Sequence, residues 1–138
     1  MSLACSIIAQ LKADFSKDTI KNILENGNRI GLLYHPYDIN NCDACSHHLN
    51  GDQILTAIYN AYETSGMYCI VIEFDKAYFN LHFMNKNNQL IVMIPRLNPL
   101  WSKVYKNHEE DIDIERYLKI FLSLIHNYQI LDMHVEYD

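Results

Sequence analysis

Glycine and proline are scarce in this sequence, with only 4 and 3 among its 138 residues. This scarcity argues against collagen-like and low-complexity chains and favours a compact globule. No apolar run approaches the roughly 20 residues that a helix needs to cross a bilayer, so we expect a soluble protein without a membrane span. A chain of this length forms one ordinary domain and buries a core without disulfides, which predicts a single domain over residues 1–138.

The sequence also has fewer basic than acidic residues. Its formal net charge is −6, and its isoelectric point is near 5.5. This balance opposes non-specific binding to nucleic acid or to an anionic membrane, and it favours a basic protein partner. The amino terminus lacks a basic leader, and Lys12 interrupts its apolar stretch, so the sequence predicts no export signal. We therefore expect a cytoplasmic protein with reduced thiols at Cys5, Cys42, Cys45 and Cys69.

The β-prone residues are concentrated in residues 67–94, as the runs MYCIVIEF, AYFNLHFM and QLIVMI. Asp75 and Lys76 are suited to a tight turn after the first run, and residues 85–88 are suited to a short hairpin after the second. The pattern predicts a three-stranded antiparallel meander. Residues 90–94 are apolar throughout, which predicts an interior strand with cover on both faces.

The first 26 residues favour two short helices. Apolar residues from Leu3 to Phe15 follow one helical face, whereas those from Ile20 to Leu24 fall on the opposite face of the same ideal helix. A break at Ser16 resolves the conflict, because serine caps helices well. The second helix is predicted to stop near Asn26 and the glycine that follows it.

The remaining segments complete an α+β prediction. Residues 29–35 read as a strand running parallel to one neighbour, because a long loop and a helix over about residues 50–66 follow it. Residues 114–128 carry a wide apolar helical stripe, and residues 130–137 alternate like a strand at a sheet edge. We predict a single α+β domain: a mixed sheet of about five strands with a central antiparallel meander, packed by helices.

One polar loop combines possible metal ligands. Cys42 and Cys45 have the two-residue gap that lets both thiolates reach one Zn²⁺, and His47 and His35 lie near them in sequence. A second ligand pair far along the chain, which is usual in structural zinc sites, is missing. The alternatives are a polar loop with two free thiols and a redox dithiol.

A thiol hydrolase is another chemical hypothesis. It needs a nucleophilic cysteine before a helix and a histidine on a neighbouring strand, and Cys45 followed by His82 has that order. The alternative is that His82 has no catalytic role and is a polar residue on the solvent-exposed face of its strand.

Two features between the meander and the next helix suggest partner contacts. Trp101 is either an exposed anchor or a lid folded onto the core. The acidic run at residues 108–113 is either a docking patch for a basic partner or a source of negative charge that compensates the dipole of the helix that follows. The candidate partner-binding residues are Trp101, Glu109, Glu110, Asp111 and Asp113.

The sequence favours a non-enzymatic protein-binding module that takes no cofactor and recognises one specific protein, as immunity proteins, inhibitors and secretion chaperones do. The alternative is a thiol- or zinc-dependent enzyme centred on Cys42, Cys45, His47 and His82. A homodimer formed through the last strand is a further hypothesis.

Overall fold

The computed structural model describes residues 5–36, 51–65, 68–75, 77–97 and 114–137, with the backbone alone for residues 60–65. These residues form a single α+β domain, which confirms the predicted fold class. None of the helices in these ranges is long and apolar enough to cross a membrane. In chain order the elements are β1 (Cys5–Asp14), α1 (Lys17–Arg29), β2 (Leu33–His35), α2 (Asp52–Ser65), β3 (Tyr68–Phe74), β4 (Ala77–Lys86), β5 (Gln89–Leu97), α3 (Ile114–Ile125) and β6 (Ile130–Tyr137).

The strands form one sheet in the order β2-β3-β4-β5-β1-β6, and each neighbouring pair is antiparallel. The prediction that β2 runs parallel to a neighbour, which made the sheet mixed, is therefore wrong. Leu33 pairs with Glu73 and His35 with Val71, so β3 starts at the end of the sheet where β2 stops. The connection that contains α2 leaves and rejoins the sheet at this end, whereas a parallel pair needs a crossover to the opposite end.

The first helix predicted from the sequence is wrong, because residues 5–14 form β1. The spacing of Ile7, Ile8 and Leu11 fits a helical face as well as a strand, so periodicity did not separate the two. In the structure alternate residues from Cys5 to Leu11 are buried, and β1 pairs with β5 on one side and β6 on the other. This non-local pairing overrides local preference and adds a sixth strand to the sheet.

The predicted break at Ser16 is confirmed. The Ser16 hydroxyl accepts a hydrogen bond from the Thr19 backbone N–H at 3.2 Å and caps α1. The helix runs to Arg29, past the predicted stop, so Gly27 is a buried residue within it. Gly31, with φ of +90°, makes the turn into β2 instead.

The predicted meander is confirmed as β3, β4 and β5. Asn87 and Asn88 turn the second hairpin with φ of 53° and 67°, a conformation that asparagine tolerates better than most residues. The interior position predicted for residues 90–94 is also confirmed, because β5 lies between β4 and β1.

The helices cover one side of the sheet, which we call the helix face, and the opposite side is the outer face. Paired strand residues such as Ile7 with Ile94 and Phe83 with Val92 lie on the helix face. They join buried residues of the three described helices in one apolar cluster. The helical members are Ile20, Ile23, Leu24, Ile54, Ile58, Tyr117, Ile120, Phe121, Leu124 and Ile125.

A buried asparagine ties α1 to the end of α3. The Asn26 amide nitrogen donates to the Leu124 carbonyl and to the Asn127 side-chain oxygen, both at 2.8 Å. Arg29 donates in turn to the Asn26 side-chain oxygen at 3.2 Å. These bonds satisfy a carbonyl at the end of α3 that has no partner within the helix, and they fix the two helices together over the sheet.

Candidate functional site

The last strand, β6, lies at one end of the sheet and pairs with β1 along one side. Met133 pairs with Ala9 and Val135 with Ile7, so both side chains lie on the helix face, where they are only half-buried. Within the ranges that the structure describes, no strand lies along the other side of β6. The predicted sheet edge is confirmed for these residues. Backbone groups along a sheet edge are available to pair with a further strand.

A bulge at Leu131 widens the apolar surface of this edge. Between two successive pairings β1 advances by one residue and β6 by two, so Ile130 and Leu131 both lie opposite Leu11. Ile130 is 38% exposed, Leu131 45% and Tyr137 63%. Three of the seven large apolar side chains exposed in the described part of the chain thus lie on this one strand. Exposed apolar surface beside open backbone groups is typical of a protein-binding edge.

The outer face of β6 carries a charged row. The His134 ring nitrogens hydrogen-bond to Asp132 Oδ2 at 3.1 Å and to Glu136 Oε1 at 3.0 Å. Hydrogen bonds to Glu136 and then to Asp132 raise the pKa of His134 above its ordinary value. Because the two carboxylates flank a single imidazole, the row keeps acidic character whether or not the ring is protonated.

The structure also brings together a cysteine and a histidine that sequence reasoning did not pair. Cys69 on β3 lies directly opposite His82 on β4, and both are buried on the outer face. The signal was present in the sequence, because a tight turn at Asp75 and Lys76 fixes this register once the two strands are in place. Both the Cys69 thiol and the His82 imidazole are withdrawn from solvent, at 0% and 6% exposure.

Burial sets the chemistry of His82. It lowers the pKa of the imidazole to about 4, so the ring is neutral near pH 7. The predicted hydrolase pair joins His82 to Cys45, which lies outside the described residues. That pairing stays a prediction, while the observed neighbours of His82 in the sheet are Cys69 and Met93.

The predicted zinc ligands are only partly described. Cys42, Cys45 and His47 lie outside the described ranges, whereas His35 is a buried residue of β2. The His35 Nε2 atom lies 2.7 Å from Glu73 Oε1, so this nitrogen is already engaged. The described residues alone hold no cluster of three or more metal-binding side chains. The zinc site stays a prediction.

The predicted partner-binding residues Trp101, Glu109, Glu110, Asp111 and Asp113 lie outside the described residues. The helix after them, α3, begins at Ile114 with Glu115 in its first turn. The acidic run therefore directly precedes the start of α3 in the sequence, where negative charge stabilises a helix.

Comparison with protein-family models, with curated proteins and with solved structures gave no significant match in any of the three.

Proposed function

We propose that the protein is a non-enzymatic protein-binding module, that it recognises a specific basic protein, and that the free edge of β6 is its recognition element. The observation that carries this proposal is the combination on one strand of a side that faces no other strand in the described part of the chain, a bulge and exposed apolar side chains. An incoming extended segment gains main-chain hydrogen bonds from such an edge and side-chain contacts from the surface beside it.

Charge supports a basic partner. Among the described residues acidic and basic side chains are nearly equal in number, yet β6 carries Asp132 and Glu136 and no lysine or arginine. Their side chains are 65% and 62% exposed. Lysine or arginine side chains on a strand placed beside β6 would lie opposite them, and opposite charges on neighbouring strands attract.

The edge is also protected from indiscriminate pairing. Natural sheets guard exposed edges with charged side chains and bulges, and β6 has both. Leu131 stands at the bulge, so a partner has to accommodate a local distortion as well as the charge pattern. These two requirements make the edge selective.

The proposal predicts contact at Leu131. We expect a photo-crosslinking amino acid at this position, introduced in the cells that make the protein, to capture one basic protein. The matched control is Leu122 on α3, which is 43% exposed against 45% for Leu131 and should capture none. Leu131→Asp should then weaken the purified complex about tenfold or more, because it places charge in the apolar contact. Equal capture at both positions, or unchanged affinity of the Leu131→Asp protein, would contradict the proposal.

A further inference from the structure

We propose that a second copy of this chain occupies the β6 edge when no other partner is bound, with the two β6 strands antiparallel and Met133 opposite Met133 on the two-fold axis. The inference rests on the proposed function, because it names an occupant of the same edge. It makes the resting protein a symmetric dimer with one sheet running through both copies.

The sequence of β6 is nearly self-complementary about Met133. Outward from this residue come Asp132 and His134, and then Leu131 and Val135. In the proposed register Leu131 lies opposite Val135 of the second copy, and Asp132 lies opposite its His134. At these positions an apolar residue meets an apolar residue, and Asp132 meets an imidazole.

The charges select this register over the one centred on His134, which also keeps the same faces together. A two-fold axis through His134 would set Asp132 opposite Glu136 of the second copy and His134 opposite His134. Like charges directly opposite each other destabilise a strand pair. The Met133 register avoids both contacts and pairs residues 130–136 of each copy.

The proton affinity of His134 supports this arrangement. The hydrogen bonds that His134 donates to Glu136 and to Asp132 already raise the pKa of this imidazole. The raised pKa favours the protonated, cationic imidazole. A third carboxylate, Asp132 of the second copy, would therefore approach a positive charge. Each copy carries a net charge of −6, but charges more than about 8 Å apart are largely screened at physiological salt, so the contacts along the edge decide the outcome.

The described residues cover the helix-face side chains of β6 only in part. Met133 and Val135 on the helix face are only half-buried, so the helices do not extend fully over β6. A second β6 strand would cover these side chains together with Ile130 and Leu131. An interface made by one strand from each copy is small, so we expect a dissociation constant of about 10 µM rather than a permanent dimer.

The test is sedimentation velocity of the purified protein from about 1 µM to about 1 mM. We expect a monomer–dimer equilibrium. Asp132→Lys should weaken the dimer about tenfold, because lysine would face His134 of the second copy. His134→Glu should weaken it by a similar factor, because glutamate would face Asp132. The double variant Asp132→Lys, His134→Glu should restore most of the affinity, because the opposite charges are exchanged rather than lost.

The controls separate this inference from the proposed function. Glu136→Lys should not strengthen the dimer, because Glu136 lies opposite Ile130 in this register and its hydrogen bond to His134 would be lost. The same change would strengthen the register centred on His134, where lysine would face Asp132 of the second copy. A monomer at every concentration, a dimer insensitive to both single changes, or a dimer strengthened by Glu136→Lys would overturn the inference. If a monomer still crosslinks to another protein at Leu131, the proposed function survives. If it crosslinks to nothing at that position, both are wrong.

Discussion

Gly27→Ala should lower the free energy of unfolding by about 3 kcal/mol, the largest single-methyl effect that we expect in this protein. Gly27 is buried in α1 at the crossing with β2 and α3. A Cβ atom there would stand 2.0 Å from the Tyr34 hydroxyl oxygen and 2.9 Å from Leu124 Cδ2. Neither contact is tolerable, so Tyr34 would have to move.

Tyr34 has little freedom to move. Its side chain is fully buried, and its hydroxyl donates to the Leu24 carbonyl at 2.8 Å. Burial raises the pKa of Tyr34 well above its ordinary value, so the hydroxyl remains a donor at any working pH. Displacing it costs core packing and a buried hydrogen bond, and the better helix propensity of alanine returns only about 1 kcal/mol.

The measurement is urea unfolding of Gly27→Ala, alone and with Tyr34→Phe. Removing the hydroxyl removes the nearest clashing atom, so the double variant should be more stable than the sum of the single effects predicts, by about 1 kcal/mol or more. Asn28→Ala, at the next and exposed position of α1, should stay within about 0.5 kcal/mol of the native protein. Additive effects of the first two changes would contradict the proposed clash.

Acid should destabilise the protein through His82. Burial lowers the pKa of this imidazole to about 4 in the folded state, from its ordinary value of 6.5 in the unfolded chain. Between these values the unfolded chain binds more protons than the folded one, so stability falls as the pH falls. Above pH 6.5 protonation of His82 does not lower the free energy of unfolding. It lowers this free energy by about 2 kcal/mol at pH 5 and by about 3 kcal/mol below pH 4.

The test compares the native protein with His82→Gln between pH 7 and pH 4. Carboxylates titrate in both proteins, so the difference between their unfolding free energies isolates the imidazole. That difference should shift by about 3 kcal/mol in favour of the variant on going from pH 7 to pH 4. Parallel pH profiles for the native protein and His82→Gln would show that His82 is not buried as described.

The sequence predicts the local parts of this fold better than its long-range pairings. The meander follows from β-prone runs separated by residues that tolerate turns, and the cap at Ser16 follows from a conflict between two helical faces. β1 was not predicted, because Ile7, Ile8 and Leu11 fit the period of a helix as well as that of a strand. Its partners β5 and β6 also come much later in the chain. The antiparallel direction of β2 depends on where α2 returns the chain, which no local pattern encodes.

The same distinction holds for the candidate sites. The alternation of residues 130–137 predicted an edge strand, because such a strand exposes one face to solvent. The bulge at Leu131 was not predictable, since it depends on the register with β1. The pairing of Cys69 with His82 follows from the register of the first hairpin. No motif distinguishes Cys69 in the sequence, whereas Cys45 belongs to a recognisable two-cysteine motif.

The open side of β6 is the feature on which the proposed function depends, and amide hydrogen exchange followed by NMR tests it residue by residue. In dilute protein the β6 amides that donate to β1 should exchange slowly, while the intervening amides, which point away from β1, should exchange fast. Raising the protein concentration through the expected dissociation constant of the dimer should slow the exchange of these outward-pointing amides, because the second β6 strand would then accept hydrogen bonds from them. Uniform protection along β6 in dilute solution would mean that the edge is already covered within one molecule, and it would contradict the account.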